Sequence, residues 1–133
     1  EDGGTPLHLA AENNENPEAI TLLINAGADV NARGEDGGTP LHLAAENNEN
    51  PEAITLLINA GADVNARGED GGTPLHLAAE NNENPDIITN LLNAGADGTA
   101  VNSDGETPFD LAKDNEALAS TDAYWALSDA RFE

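Results

Sequence analysis

His8, His42 and His76 recur at steps of 34 residues, each inside the run Thr-Pro-Leu-His-Leu-Ala-Ala. Three imidazoles could hold zinc, with Zn–N bonds of about 2.0–2.1 Å. If each ring sits on its own helix, however, neighbouring axes lie roughly 8–10 Å apart, so adjacent members of the series cannot share one ion. Carboxylates are more abundant. Glu12, Glu15 and Glu18 return as Glu46, Glu49 and Glu52, and in part as Glu80 and Glu83. Paired carboxylates can hydrolyse glycosidic bonds, but no Ser-His-Asp set, phosphate loop or H-E-x-x-H motif accompanies them. Identical copies also cannot supply the asymmetric constellation of an active site. No catalysis and no cofactor are expected. The segments 12–16 and 102–106 are rich in the oxygen ligands that calcium prefers, yet the pattern D-x-[DN]-x-[DN]-G is missing. The expectation there is weak adventitious binding and no dedicated metal site.

The charge narrows the class of partner. The chain carries 26 acidic residues against 4 Lys and Arg, a net charge of -22. Nucleic acid and anionic membrane surfaces are excluded as partners by like-charge repulsion, and a basic protein surface is favoured. Acidic chains of this kind can be disordered, but here 38% of residues are apolar and recur at helical spacing. There is no Cys, so disulfides and thiolate metal sites are absent. No apolar run approaches the roughly 18 residues of a membrane span, and no signal-like segment opens the sequence. A cytoplasmic location is the default expectation. The first residue is Glu1, which suggests a trimmed chain or a fragment.

The elements that position these residues follow from the repeat. Residues 1–34 and 35–68 are identical, and the identity continues through Pro85. We expect one domain of repeats 1–34, 35–68 and 69–102, closed by a capping unit at 103–133. In each unit Thr5 is a good N-cap with Pro6 at the first helical position. Leu7, Leu9, Ala10 and Ala11 then form a short helix with small residues toward its neighbours, which 13–15 break. Asn16 and Pro17 start a second helix whose apolar stripe is Ala19, Ile20, Leu23 and Ile24. Gly27 ends it in a left-handed conformation, and residues 28–38 form an extended excursion with an Glu-Asp-Gly-Gly turn. Helices this short are unstable alone in water; stacking on the next unit supplies their burial.

The run Gly-Gly-Thr-Pro-Leu-His-Leu-Ala-Ala, followed by Leu-Leu-Ile-Asn-Ala-Gly-Ala-Asp-Val-Asn-Ala, resembles the ankyrin repeat over nearly the whole chain, weakening after about Lys113. The resemblance implies an all-α ankyrin-repeat solenoid of about four stacked helix-turn-helix units with β-turn fingers. It implies that the histidines hydrogen-bond within and between repeat turns. It also implies a protein partner held in a concave groove of turn tips and first helices. By position those residues are Glu12 and Asn13; Arg33, Glu35, Asp36, Gly38, Glu46 and Asn47; and Arg67, Glu69, Asp70, Gly72, Glu80 and Asn81. The two arginines lie among acids that could pair with them. Asn31 and Asn65 are similar to asparagines that are hydroxylated in ankyrin repeats of animal cells, with turn structure as their expected role. Three features depart from the family pattern. The period is usually 33, whereas the loop at 12–16 reads one residue longer; that loop lacks the usual Gly-His pair; and Gly34 and Gly68 replace an Asp.

Natural repeats drift at exposed positions, and these do not. The expectation is therefore an engineered, consensus-like interaction scaffold with no dedicated ligand. The alternative is a fragment of a natural adaptor or bacterial effector that binds a basic protein. Phe109, Tyr124, Trp125 and Phe132 are all the aromatics of the chain, and with a final helix from about Asp122 to Arg131 they read as a seal on the C-terminal end. The first unit has no such seal, so its bare helical face invites head-to-tail self-association.

Overall fold

A computed structural model describes residues 4–13 and 17–132. Within them the chain forms eight helices and no strand: α1 (Pro6–Glu12), α2 (Pro17–Asn25), α3 (Pro40–Asn47), α4 (Pro51–Asn59), α5 (Pro74–Asn81), α6 (Pro85–Asn93), α7 (Pro108–Ala112) and α8 (Asp122–Ala130). They pair in chain order and stack in two layers. The layer α1, α3, α5, α7 is continuous, and α2, α4, α6 and α8 pack behind it. This is an all-α repeat solenoid.

The helix starts follow from local chemistry. In α3 the Thr39 hydroxyl accepts the N–H of His42, and the His42 ring accepts the N–H of Thr39; the same reciprocal box starts α1 and α5. Histidine here takes the place that Glu or Gln holds in the usual capping box. In α7 Asp110 takes over that task from histidine. Asn50 and Asn84 cap α4 and α6; Asn16, expected to do the same for α2, lies outside the described residues. Gly27, Gly61 and Gly95 adopt φ of 100°, 103° and 102°, the left-handed exit expected after the second helix.

Leu7, Leu41, Leu75 and Phe109 form one buried row in the first layer, and Ile20, Ile54 and Ile88 form another behind it. Leu9 departs from expectation. It projects from α1 at 69% exposure, because residues 7 and 9 fall on different faces of a helix. The first two units have identical sequences but different burial. Ala53 and Leu57 are buried, whereas Ala19 and Leu23 are only partly so, and Leu22 is 61% exposed. Among the described residues, no unit packs ahead of α1 and α2.

Polar ladders bind the stack. Asn48 Nδ2 donates to the carbonyls of Ala11 (2.9 Å) and Asn13 (3.2 Å). Asn82 repeats this on Ala45 and Asn48, and Asn115 on Ala79 and Asn82. Pro40 and Asn48 are eight residues apart, but Pro108 and Asn115 only seven. The extra residue of the 34-residue units therefore lies ahead of the buried asparagine, at the end of the first helix.

At the C-terminal end Phe109 is buried and packs on Tyr124 with ring centroids 5.1 Å apart. Trp125 and Phe132 stay 56% and 76% exposed, so only half of the aromatic set seals the core. The final helix stops at Ala130, and Arg131 caps it with its guanidinium over the Phe109 ring.

Candidate protein-binding groove

The outward face of the first helix layer and the turn fingers enclose a groove that runs along the stack. Each first helix points Leu9, Leu43 or Leu77 into it. Three residues on, and so on the same helical face, stand Glu12, Glu46 and Glu80. The finger tips carry Glu35 and Asp36, then Glu69 and Asp70, on the other side. Two equivalent depressions of about 330 Å³ result. Leu9, Glu12, Asp36 and Leu43 line the first, and Leu43, Glu46, Asp70 and Leu77 line the second. The leucine row was missed in the sequence because Leu9 reads as one more apolar helix position; only the i, i+3 pairing of Leu9 with Glu12 signals a shared open face.

The anticipated contact residues fall into three kinds. Glu12, Asn13, Glu35, Asp36, Asn47, Glu69, Asp70, Glu80 and Asn81 are exposed, and Glu46 is half-buried. Asn47 Nδ2 donates to Glu12 Oε2 (3.3 Å) and Asn81 Nδ2 to Glu46 Oε2 (3.2 Å), tying each glutamate to the next unit. Gly38 and Gly72 line the floor with their backbone groups already engaged. Gly72, which is buried, gives its N–H to Asp70 Oδ1 and accepts from His42 Nε2 (3.0 Å); Gly38 repeats this with Asp36 and His8.

Arg33 and Arg67 are the third kind. Among the described residues neither pairs with a carboxylate. Arg33 Nη1 donates to the carbonyls of Gly37 (2.7 Å) and Arg67, and Arg67 Nη1 to those of Gly71 (3.1 Å) and Val101 (2.6 Å). The ion pair found among the described residues is Lys113–Asp110 at 3.7 Å. Exposed carboxylates gain little from pairing, whereas a carbonyl of the next finger offers a fixed acceptor. The guanidinium groups stitch consecutive fingers together.

The electrostatics follow from stacking. Burial pushes the Glu46 carboxyl above its ordinary value, and the carboxylates of Glu12, Glu80 and Asp36 push the same way. Burial holds His42 and His76 below the ordinary histidine value, although their hydrogen bonds to Gly72 and Glu106 oppose this. A backbone N–H can only donate, so Nδ1 of His42 accepts from Thr39 and Nε2 carries the hydrogen that goes to the Gly72 carbonyl. His8 and His76 follow the same pattern.

Other sites of possible chemistry are occupied by structure. Among the described residues no three His, Asp or Glu side chains converge as a metal site. In the turn at 102–106, Asn102 Oδ1 accepts the N–H groups of Asp104 and Glu106. The Asn31 amide donates to Gly61 O (3.1 Å) and accepts from the Asp63 N–H (2.8 Å), and Asn65 bridges to Gly95 and Asp97 alike. No described helix is long and apolar enough to cross a membrane.

Fold and depressions together define an all-α helical-repeat solenoid with two equivalent hollows beside its first helix layer. A family model described as ankyrin repeats (3 copies) matches residues 1–68, and one described as ankyrin repeats (many copies) matches 57–112. The chain belongs to the ankyrin repeat family, whose repeats generally mediate protein–protein interaction. None of the curated proteins compared matches it.

Proposed function

We propose that this chain is a non-enzymatic interaction scaffold: one domain of repeats 1–34, 35–68 and 69–102 with a capping unit at 103–133. Its groove faces a basic protein surface. The observation that carries this reading is the leucine row flanked on both sides by carboxylates, repeated unit by unit. Near-identity of the units at exposed as well as buried positions supports an engineered, consensus-like array; the alternative is a fragment of a natural adaptor. Chemical-shift titration with a Lys- and Arg-rich protein tests the groove. Shifts should map to Leu9, Glu12, Asp36, Leu43, Glu46 and Asp70 and vanish in the triple variant Glu12→Gln, Glu46→Gln, Glu80→Gln. Shifts scattered over the whole acidic surface would remove the assignment.

A second reading concerns the partly uncovered Ala19 and Leu23, whose equivalents in the next unit are buried. We infer that this face takes part in head-to-tail self-association. Light scattering, with and without an added N-terminal cap, decides it: a monomer in both cases discards the reading.

A further inference from the structure

We propose that the groove is matched to a polyproline-II segment of a partner protein, with an apolar side chain at every third residue and Lys or Arg at the two positions between. This rests on the reading of the groove as a protein-binding face and specifies the ligand.

The groove has three lanes. Glu35, Asp36, Glu69 and Asp70 form the finger lane, Leu9, Leu43 and Leu77 the central lane, and Glu12 and Glu46 the helix-end lane, which Glu80 continues three residues after Leu77. All three lanes advance once per unit, by roughly 8–10 Å, the separation of packed helices. A polyproline-II chain advances about 9 Å per turn with three residues per turn, so its three faces also repeat once per unit. One face puts apolar side chains into the two depressions while the other two tilt toward opposite carboxylate lanes.

Other conformations fit less well. A strand rises about 3.3 Å per residue with alternating faces, so its same-face positions fall at about 6.6 and 13 Å and miss the spacing. An α-helix returns to one face after seven residues, at about 10.5 Å. Its i+3 and i+4 side chains, however, come down between the depressions, onto the Leu43 ridge.

Charge complementarity supports the same occupant. Arg33 and Arg67 are the basic side chains of the fingers, and each turns its Nη1 to two backbone carbonyls and away from the finger carboxylates, which outnumber the arginines two to one. Asn47 and Asn81 hold the glutamates in place without neutralising them. Burial first, and then the charges of Glu12 and Glu80, push the Glu46 carboxyl up; a bound cationic side chain would relieve the second of these.

The test uses three capped peptides of equal composition: four Leu-Lys-Lys triplets, a sequence with leucines at its first, fourth, eighth and eleventh positions, so that two pairs stand seven apart on one helical face, and a shuffled one. Affinities are measured by calorimetry at low and moderate salt. The triplet peptide is expected to bind about ten-fold or more tightly than the others, a difference of about 1.4 kcal/mol. Its binding should weaken with salt, and it should lose about ten-fold in the triple Glu→Gln variant at positions 12, 46 and 80 while that variant keeps its helical circular dichroism. Equal affinity for all three peptides overturns the three-residue register but leaves the basic-ligand groove standing. Preference for the seven-residue spacing overturns it in favour of a helix. Binding by none of them overturns the register and the basic-partner reading together.

Discussion

Asn82 shows what a single side chain does here. Its amide nitrogen donates to Ala45 O (2.8 Å) and Asn48 O (3.0 Å), and its oxygen accepts the Asn84 N–H (2.8 Å), all at 2% exposure. Asn82→Ala leaves buried carbonyls without donors, each costing about 1–3 kcal/mol. We expect a loss of about 2–4 kcal/mol, read as a lower urea midpoint. Nothing in Glu-Asn-Asn-Glu-Asn marks its second Asn as the buried one, since three asparagines stand close together and burial is a property of the stacked neighbour. The histidines' hydrogen bonds within and between turns were expected only from the resemblance to the ankyrin repeat; the reciprocal box with Thr39 emerged from the structure. The folded forms of His42 and His76 hold their protons less readily than the unfolded chain. Their contribution is therefore full above the ordinary value of 6.5 and is lost as pH falls from there through the folded values. Glu46 has the opposite sign: its raised folded value favours the fold as pH falls through the carboxylate range. Thermal melts should thus show a falling Tm from about pH 7 toward pH 5.5. A Tm that stays flat across that window, or ring protons of His42 and His76 that titrate above 6.5, would contradict this account.

Among the elements, α8 shows how one exchange admits a different partner. The first two units carry Val30 and Val64 where the third has Gly98. A Cβ at Gly98 would lie 2.5 Å from the Ala130 Cβ and 3.1 Å from its carbonyl carbon. Glycine thus lets α8 approach the base of the last finger. Restoring valine in Gly98→Val should overpack this contact and cost about 1–3 kcal/mol. The measurements are the urea midpoint and the fluorescence of Trp125, which sits on α8. An unchanged midpoint and spectrum would show that α8 docks without needing that space. Helix starts were readable because Thr-Pro and Asn-Pro are local signals; the docking of α8 was not, because it depends on a clearance between residues 32 positions apart.

On the scale of the whole molecule, charge opposes the stack. Each of the two identical units has six acidic residues against one Arg, and units packed roughly 8–10 Å apart are spaced near the Debye length of about 8 Å at physiological salt. Added NaCl should therefore raise Tm between low and moderate concentration, as differential scanning calorimetry would detect. A flat or falling Tm would mean that the repulsion is already dissipated by solvent.

The sequence by itself determined the family, the repeat, the helix caps and the excess of negative charge, because each of these is written in neighbouring residues or in counts. The tertiary structure decided which of the repeated residues meet. Only stacking could choose one asparagine of three for burial, turn the arginines from carboxylates to the carbonyls of the next finger, and line up partly covered leucines between two rows of acids. These outcomes depend on contacts about one repeat away, where identical residues differ only in what packs against them.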